Sequence, residues 1–116
     1  MKIYGIKNCD TMKKALKWLD QAAVAYEFHD YKKVGISPEL ADRFIANIEL
    51  DTLINKRGTT YRQLDDATKA AISGGDKAAA KAVMLDNPSV IKRPVLERNG
   101  EYLLGFKAEE YQAFCR

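Results

Sequence analysis

Histidine is almost missing from this 116-residue chain: His29 stands alone. A zinc site would therefore need unusual help from carboxylates, and no metal centre is expected. The same scarcity moves a Ser-His-Asp hydrolase out of the front rank, because His29 lies in a strand-like run with no serine near it in sequence. Cysteine is nearly as sparse. Cys9 and Cys115 sit near opposite ends of the chain, which is no disulfide scaffold. No apolar run approaches the ~18 residues that cross a bilayer, so no membrane partner is expected. The opening Met1-Lys2-Ile3-Tyr4-Gly5-Ile6 is too short for a secretory core, and a cytoplasmic location is the expectation. Charge of one sign is also lacking. Nineteen Lys and Arg face sixteen Asp and Glu, interspersed, for a net +3, which is too little to imply nucleic acid as a partner. There is no phosphate-cradling glycine loop and no aromatic-basic interleaving for RNA.

What is present is an ordinary globular composition, 47% hydrophobic and 30% charged, of a length that suits one domain spanning residues 1–116. Lys2 to Ile6 reads as a strand and Asp10 to Ala23 as a helix, with Met12, Ala15, Leu16, Leu19, Ala22 and Ala23 on one stripe. Val24 to Tyr31 reads as a second strand, completing a βαβ unit. A helical block follows. Ser37-Pro38 opens its first helix, Asp51 to Asn55 is a short one, residues 56–60 are a loop, and Tyr61 to Leu64 is a further turn. Asp66 to Ile72 and Asp76 to Leu85 are helices parted by Ser73-Gly74-Gly75. Pro94 to Glu97 and Glu101 to Leu104 form a hairpin around Asn99-Gly100, and Lys107 to Phe114 is a last helix with Tyr111 and Phe114 inward. The order predicts an α/β fold: a four-stranded mixed sheet with helices packed on it and an all-helical insertion at about residues 37–87.

Cys9 is the first candidate for chemistry, at the junction of the first strand and the first helix. Free N–H groups at a helix start favour an anion, and a thiolate is one, so its pKa should fall below ~8.5. Lys7 and Lys13 push the same way and Asp10 pushes against. Met12 stands where a Cys-x-x-Cys motif would need its second thiol, so a resolving thiol must come from elsewhere. Glutathione is the natural supplier in the cytosol. Cys115 reads as an incidental thiol, and His29 as structural or surface. Arg93-Pro94 is the second candidate: a strand-opening or cis proline behind a cation that could face a carboxylate, oxyanion or thiolate. Lys56 and Arg57, beside Gly58, form a third, weaker, anion-contacting loop.

Ile3-Tyr4-Gly5-Ile6-Lys7-Asn8-Cys9-Asp10-Thr11 and Ile91-Lys92-Arg93-Pro94-Val95 resemble the two hallmark segments of the arsenate reductase (ArsC) family in the thioredoxin-like superfamily. The resemblance runs through Leu53 to Tyr61 and Leu103 to Phe106, over essentially the whole chain. It is nearest to the YffB subgroup, described as glutathione-dependent thiol reductases, and more distant from the regulator Spx. The resemblance implies a thioredoxin-like core with a helical insertion, Cys9 as nucleophile, Arg93 as its cation, and Pro94 cis or close to the active cysteine. Glutathione-linked arsenate reductases use three arginines around the oxyanion. The first falls at Asn55 here, with Arg57 two positions on, and the third falls at Gly105. Losing one or two such contacts weakens arsenate binding by roughly one to four powers of ten.

The expectation is therefore a monomeric thiol/disulfide reductase of small-molecule or protein disulfides, with glutathione as co-substrate and no tightly bound cofactor. Asn8 and Thr11 would shape its loop, and Lys7, Lys56 and Arg57 would attract the glutathione carboxylates. The alternatives are arsenate reduction with the same nucleophile and a non-enzymatic, Spx-like regulator binding RNA polymerase. Met12 removes the Cys-x-x-Cys switch common in the latter.

Overall fold

The computed structural model describes residues 1–116. It divides into two compact units, one of residues 1–34 with 93–116 and one of residues 35–92.

The first unit is built on four short strands: β1 (Lys2–Gly5), β2 (Glu27–Asp30), β3 (Val95–Arg98) and β4 (Glu101–Leu104). They lie in the order β2-β1-β3-β4, with β1 parallel to β2 and antiparallel to β3, and β3 antiparallel to β4. Ile3 pairs with Phe28 on one side and Leu96 on the other, and Leu96 pairs with Leu103. Strand residues two apart share a face. This register therefore sets one row of apolar side chains against helix α1 (Asp10–Gln21) and helix α8 (Ala108–Phe114). Ile3, Met12, Ala15, Leu19, Leu96 and Tyr111 are fully buried there and form the core. Burying each large side chain is worth ~1.5–3 kcal/mol. Tyr111 is held by its hydroxyl, which donates to the Gly105 carbonyl at 2.8 Å, and by edge-on contacts with Trp18 and Phe106. Arg98 caps α8 by donating to the Phe114 and Arg116 carbonyls.

The other face of the sheet carries Tyr4, His29, Glu97 and Tyr102. Tyr4 donates to one Glu97 carboxylate oxygen at 2.5 Å and Tyr102 to the other at 3.1 Å. The His29 ring stacks edge-on against Tyr4 and Tyr31, at centroid distances of 5.2 and 5.7 Å, so its role is packing.

Several boundaries differ from the sequence expectation, each for a local reason. The second strand begins at Glu27 rather than Val24, because the end of α1 uses up the intervening residues. Val24 N–H bonds to the Leu19 carbonyl and Ala23 N–H to that of Asp20, a Schellman closure with Ala23 left-handed at φ 56°. The strand stops at Asp30, whose carboxylate accepts from Lys32 N–H at 2.9 Å and starts a short helix, α2 (Tyr31–Val34). Tyr31 is thus helical. Strand β3 begins one residue later than expected, at Val95. The hairpin turn is as expected: Asn99 and Gly100 both have positive φ, as a two-residue type I′ turn requires.

The second unit is all helical, in α3 (Pro38–Asn47), α4 (Leu50–Leu53), α5 (Thr59–Arg62), α6 (Asp66–Ser73) and α7 (Lys77–Asp86), followed by a 3-10 turn at Pro88–Val90. Ser37 opens α3 as expected, its hydroxyl accepting from Leu40 N–H, and Asp65 and Asp76 accept in the same way from the N–H groups of Thr68 and Ala79. Asp76 is therefore a cap rather than the first helical residue. The loop expected at 56–60 is shorter, since α5 already begins at Thr59. Helix α3 packs on α7, and Leu40, Phe44, Leu53, Ile72, Met84 and Ile91 are buried. An isolated bridge joins Ile54 to Ile91. No helix is long and apolar enough to cross a membrane.

Left-handed geometry at a residue with a β-carbon is unfavourable by about 1 kcal/mol or more. Ala23→Gly is therefore expected to raise unfolding free energy by roughly 0.5–1 kcal/mol in a denaturant titration. An unchanged or lower midpoint would contradict the left-handed closure.

Candidate active site

Strand β1 ends at Gly5, and the chain turns through buried Ile6 and exposed Lys7 and Asn8 to Cys9. Cys9 is the N-cap residue of α1, with extended backbone (φ −132°, ψ 132°), and its carbonyl accepts the first helical bond, from Lys13 N–H at 2.9 Å. The sulfur lies outside strict capping geometry, yet near enough to the N–H groups of Met12 and Thr11 for both to act on it. Partial burial pushes the Cys9 thiol up. The Met12 N–H, a hydrogen bond from the Arg93 guanidinium, the Thr11 N–H and the Arg93 charge together outweigh it, so the thiol titrates below its ordinary value.

Arg93 reaches this place through the sheet register. Tyr4 pairs with Val95, so in the antiparallel ladder Pro94 falls opposite Gly5, and Arg93 falls beside the loop that leaves β1. The Arg93-Pro94 peptide bond is cis, as the family resemblance implied. The Pro94 carbonyl accepts from Gly105 N–H at 2.9 Å.

Gly5 and Met12 close the back of the site. A β-carbon on Gly5 would lie 2.3 Å from the Met12 sulfur, and Met12 is fully buried. The position three beyond Cys9 is thus a core position that seats α1 against the end of β1. Cys115 is remote from this end of the strand. Its sulfur is 4.0 Å from that of Met1, at the start of β1, whereas Cys9 follows the finish. Four strand residues at ~3.3 Å each separate the two ends, beyond the Cα spacing that a disulfide spans. Burial pushes the Cys115 thiol up, with Arg98 pulling against it.

Of the residues anticipated at the site, the structure gathers Cys9, Arg93, Pro94 and the Thr11 backbone. Lys7 and Asn8 sit on the same loop and line a surface groove beside α1. Lys56 and Arg57 belong to the helical unit, where Lys56 pairs with Asp51 at 2.7 Å and Arg57 is exposed. Asn55 packs under Gly58, 2.9 Å from where a β-carbon there would stand. One neighbour was missed. Tyr31 is buried with a hydroxyl that makes no hydrogen bond; burial and nearby Tyr4 push its pKa far up, while Arg93 pulls it down. The Asp30 cap that turns Tyr31 into a helix was the available signal. No group of three metal-ligating side chains converges anywhere in the molecule.

A family model described as "ArsC family" matches residues 4–114. The solved structure of the YFFB (PA3664) protein superposes with a TM-score of 0.91 at 52% identity, covering 99% of this chain and 98% of that one. An arsenate reductase (ArsC) related protein from Brucella melitensis gives a TM-score of 0.78 at 49% identity, covering 97% and 92%. The global transcriptional regulator Spx of Streptococcus mutans is 26% identical over 110 residues, 92% of this chain and 77% of Spx. The chain belongs to the ArsC family, and its fold is thioredoxin-like.

Two outcomes are expected. Alkylation at pH 7 should label Cys9 several-fold faster than Cys115, and Arg93→Ala should move the Cys9 rate midpoint to higher pH; equal rates, or an unmoved midpoint, would refute the electrostatic account. Gly5→Ala should destabilise by about 1–3 kcal/mol, with part recovered in the Gly5→Ala/Met12→Ala double variant. Strict additivity in that cycle would show that the two side chains do not meet.

Proposed function

We propose that this ArsC-family chain is a glutathione-dependent thiol/disulfide reductase with a single nucleophile, Cys9. The observation that carries the reading is the isolation of an activated thiol. Cys9 has two backbone N–H groups and a guanidinium at its sulfur, and the second cysteine of the chain stands at the opposite end of β1.

The chemistry follows from that arrangement. The Cys9 thiolate attacks one sulfur of a disulfide R–S–S–R′, forming the mixed disulfide Cys9–S–S–R and releasing R′–S⁻ with the electron pair of the broken bond. No neighbouring thiol is in reach, so glutathione enters as a thiolate and attacks the R sulfur. This yields glutathione–S–S–R and returns Cys9 as a thiolate. Arg93 and the helix start stabilise Cys9 as leaving group in the second step for the same reason that they activate it in the first. The Pro94 backbone, opposite Gly5 where β1 ends, is proposed to pair with an extended thiol peptide. Lys7 and the loop residues Asn8 and Thr11 bear on the incoming carboxylates and the sulfur.

Arsenate reduction is the weaker reading. The third arginine expected of an arsenate reductase falls at Gly105, which is buried and left-handed at φ 81°, a conformation that an arginine would occupy only under strain.

Incubation with oxidised glutathione followed by mass spectrometry tests the proposal. One glutathione adduct is expected on Cys9, lost in Cys9→Ser and released by reduced glutathione. Modification confined to Cys115 would reject the mechanism, and arsenate turnover above background would favour the alternative.

A further inference from the structure

From the loop that precedes Cys9, a surface groove of about 380 Å³ runs along one flank of α1. Lys7 and Asn8 line its near end, Lys13 and Lys17 its length, and half-buried Leu16 its floor. The three lysines are exposed and no carboxylate pairs with them, whereas Lys56 and Lys81 of the helical unit are each paired, with Asp51 and Asp42. The one acid in the groove, Asp20, is at its far end and already accepts from the Tyr26 hydroxyl at 2.9 Å. Lys13 and Lys17 stand four residues apart on one face of the helix, at four and eight residues from Cys9. At 1.5 Å per residue the row extends ~6 and ~12 Å beyond the sulfur. An extended peptide advances ~3.3 Å per residue, so it brings a side chain to Lys17 at about its fourth position from the reacting cysteine.

We propose that this groove docks an acidic polypeptide segment flanking the disulfide of a protein substrate. The inference rests on the reading of Cys9 as the nucleophile and names the substrate class: a protein cysteine, oxidised to a mixed or intramolecular disulfide, with Asp or Glu two to four residues away. Glutathione does not fill the groove, because its cysteine is the middle residue of a tripeptide and nothing in it lies four positions out. The apolar floor and the unpaired ammonium row are complementary to a chain that alternates aliphatic and acidic side chains, and the long-range part of the attraction speeds encounter with Cys9.

The test uses reduced protein in excess over three peptide probes. Each carries one cysteine as its mixed disulfide with 2-mercaptoethanol, and they differ only in acidic, amide or basic residues at the second to fourth positions. The Cys9 thiolate bonds to one sulfur of the probe, and the other departs as a thiolate. Loss of the probe disulfide is followed by mass spectrometry, and each rate is divided by that of dithiothreitol, a neutral thiol, on the same peptide. The acidic probe is expected to react about tenfold faster than the amide probe at low salt. That preference should collapse at high salt and in Lys13→Glu/Lys17→Glu, and persist in Arg62→Glu/Lys77→Glu, the same charge change at exposed positions of the helical unit. A ratio near one in the parent protein, or one indifferent to the double variant, overturns the docking surface while leaving the reductase reading intact. If no probe reacts, the reductase reading fails instead. Anisotropy of a fluorescent acidic peptide lacking the cysteine then decides the groove by itself: salt-sensitive binding that the double variant abolishes supports it, and absence of binding rejects it.

Discussion

The site turns on the stabilisation of one sulfur anion at the start of α1. Partial burial opposes ionisation of Cys9, as burial opposes any charge, and taken alone would make the thiol inert. Two backbone N–H groups and one guanidinium reverse the balance. None of the three is expendable in principle, since each acts at short range in a half-desolvated place where a charge-assisted contact is strong. The contrast within the chain is instructive. Cys115 has similar exposure, and burial pushes its thiol up with only Arg98 pulling against it. Position relative to a helix start, rather than burial, separates a thiol pulled down from one pushed up.

That stabilisation depends on the sheet being in register. The pairing of Tyr4 with Val95 sets Pro94 opposite Gly5 and so delivers Arg93 to a loop nearly ninety residues away in sequence. A slip of one residue in β3 would turn Leu96 out of the core and withdraw the cation together. Met12 adds the second constraint. It fills the space that a side chain on Gly5 would occupy, so α1 lies close against the end of β1 and its first N–H groups point where the sulfur is. The same packing gives a core role to the position at which dithiol relatives of the fold carry a second cysteine.

A single activated thiol with no internal partner has a chemical consequence. Under the proposed function the covalent intermediate would wait for an external thiol, so the surroundings of Cys9 would have two tasks: to admit a substrate disulfide and then to admit a small thiol. The lysine-lined groove beside α1 and the Pro94 backbone that leads into β3 are separate features of the first unit.

Local sequence determined a good deal. The caps at Ser37, Asp65 and Asp76, the Asn99-Gly100 turn, the apolar stripe of α1 and the placement of Cys9 at a strand-to-helix junction are short-range features, set by hydrogen bonds and sterics within a few residues. The boundaries that were displaced, at Ala23 and Tyr31, turned on an unfavoured left-handed alanine and an aspartate cap, both local but poorly encoded by composition. What only the tertiary structure decided was which distant residues meet. Arg93 could have been a solvated arginine before a strand, and Cys115 could have lain beside Cys9. The antiparallel ladder between β1 and β3 and the contact of Met1 with Cys115 settle both, because long-range pairing in a sheet is chosen by the burial of a whole face and leaves no trace in the neighbourhood of either residue.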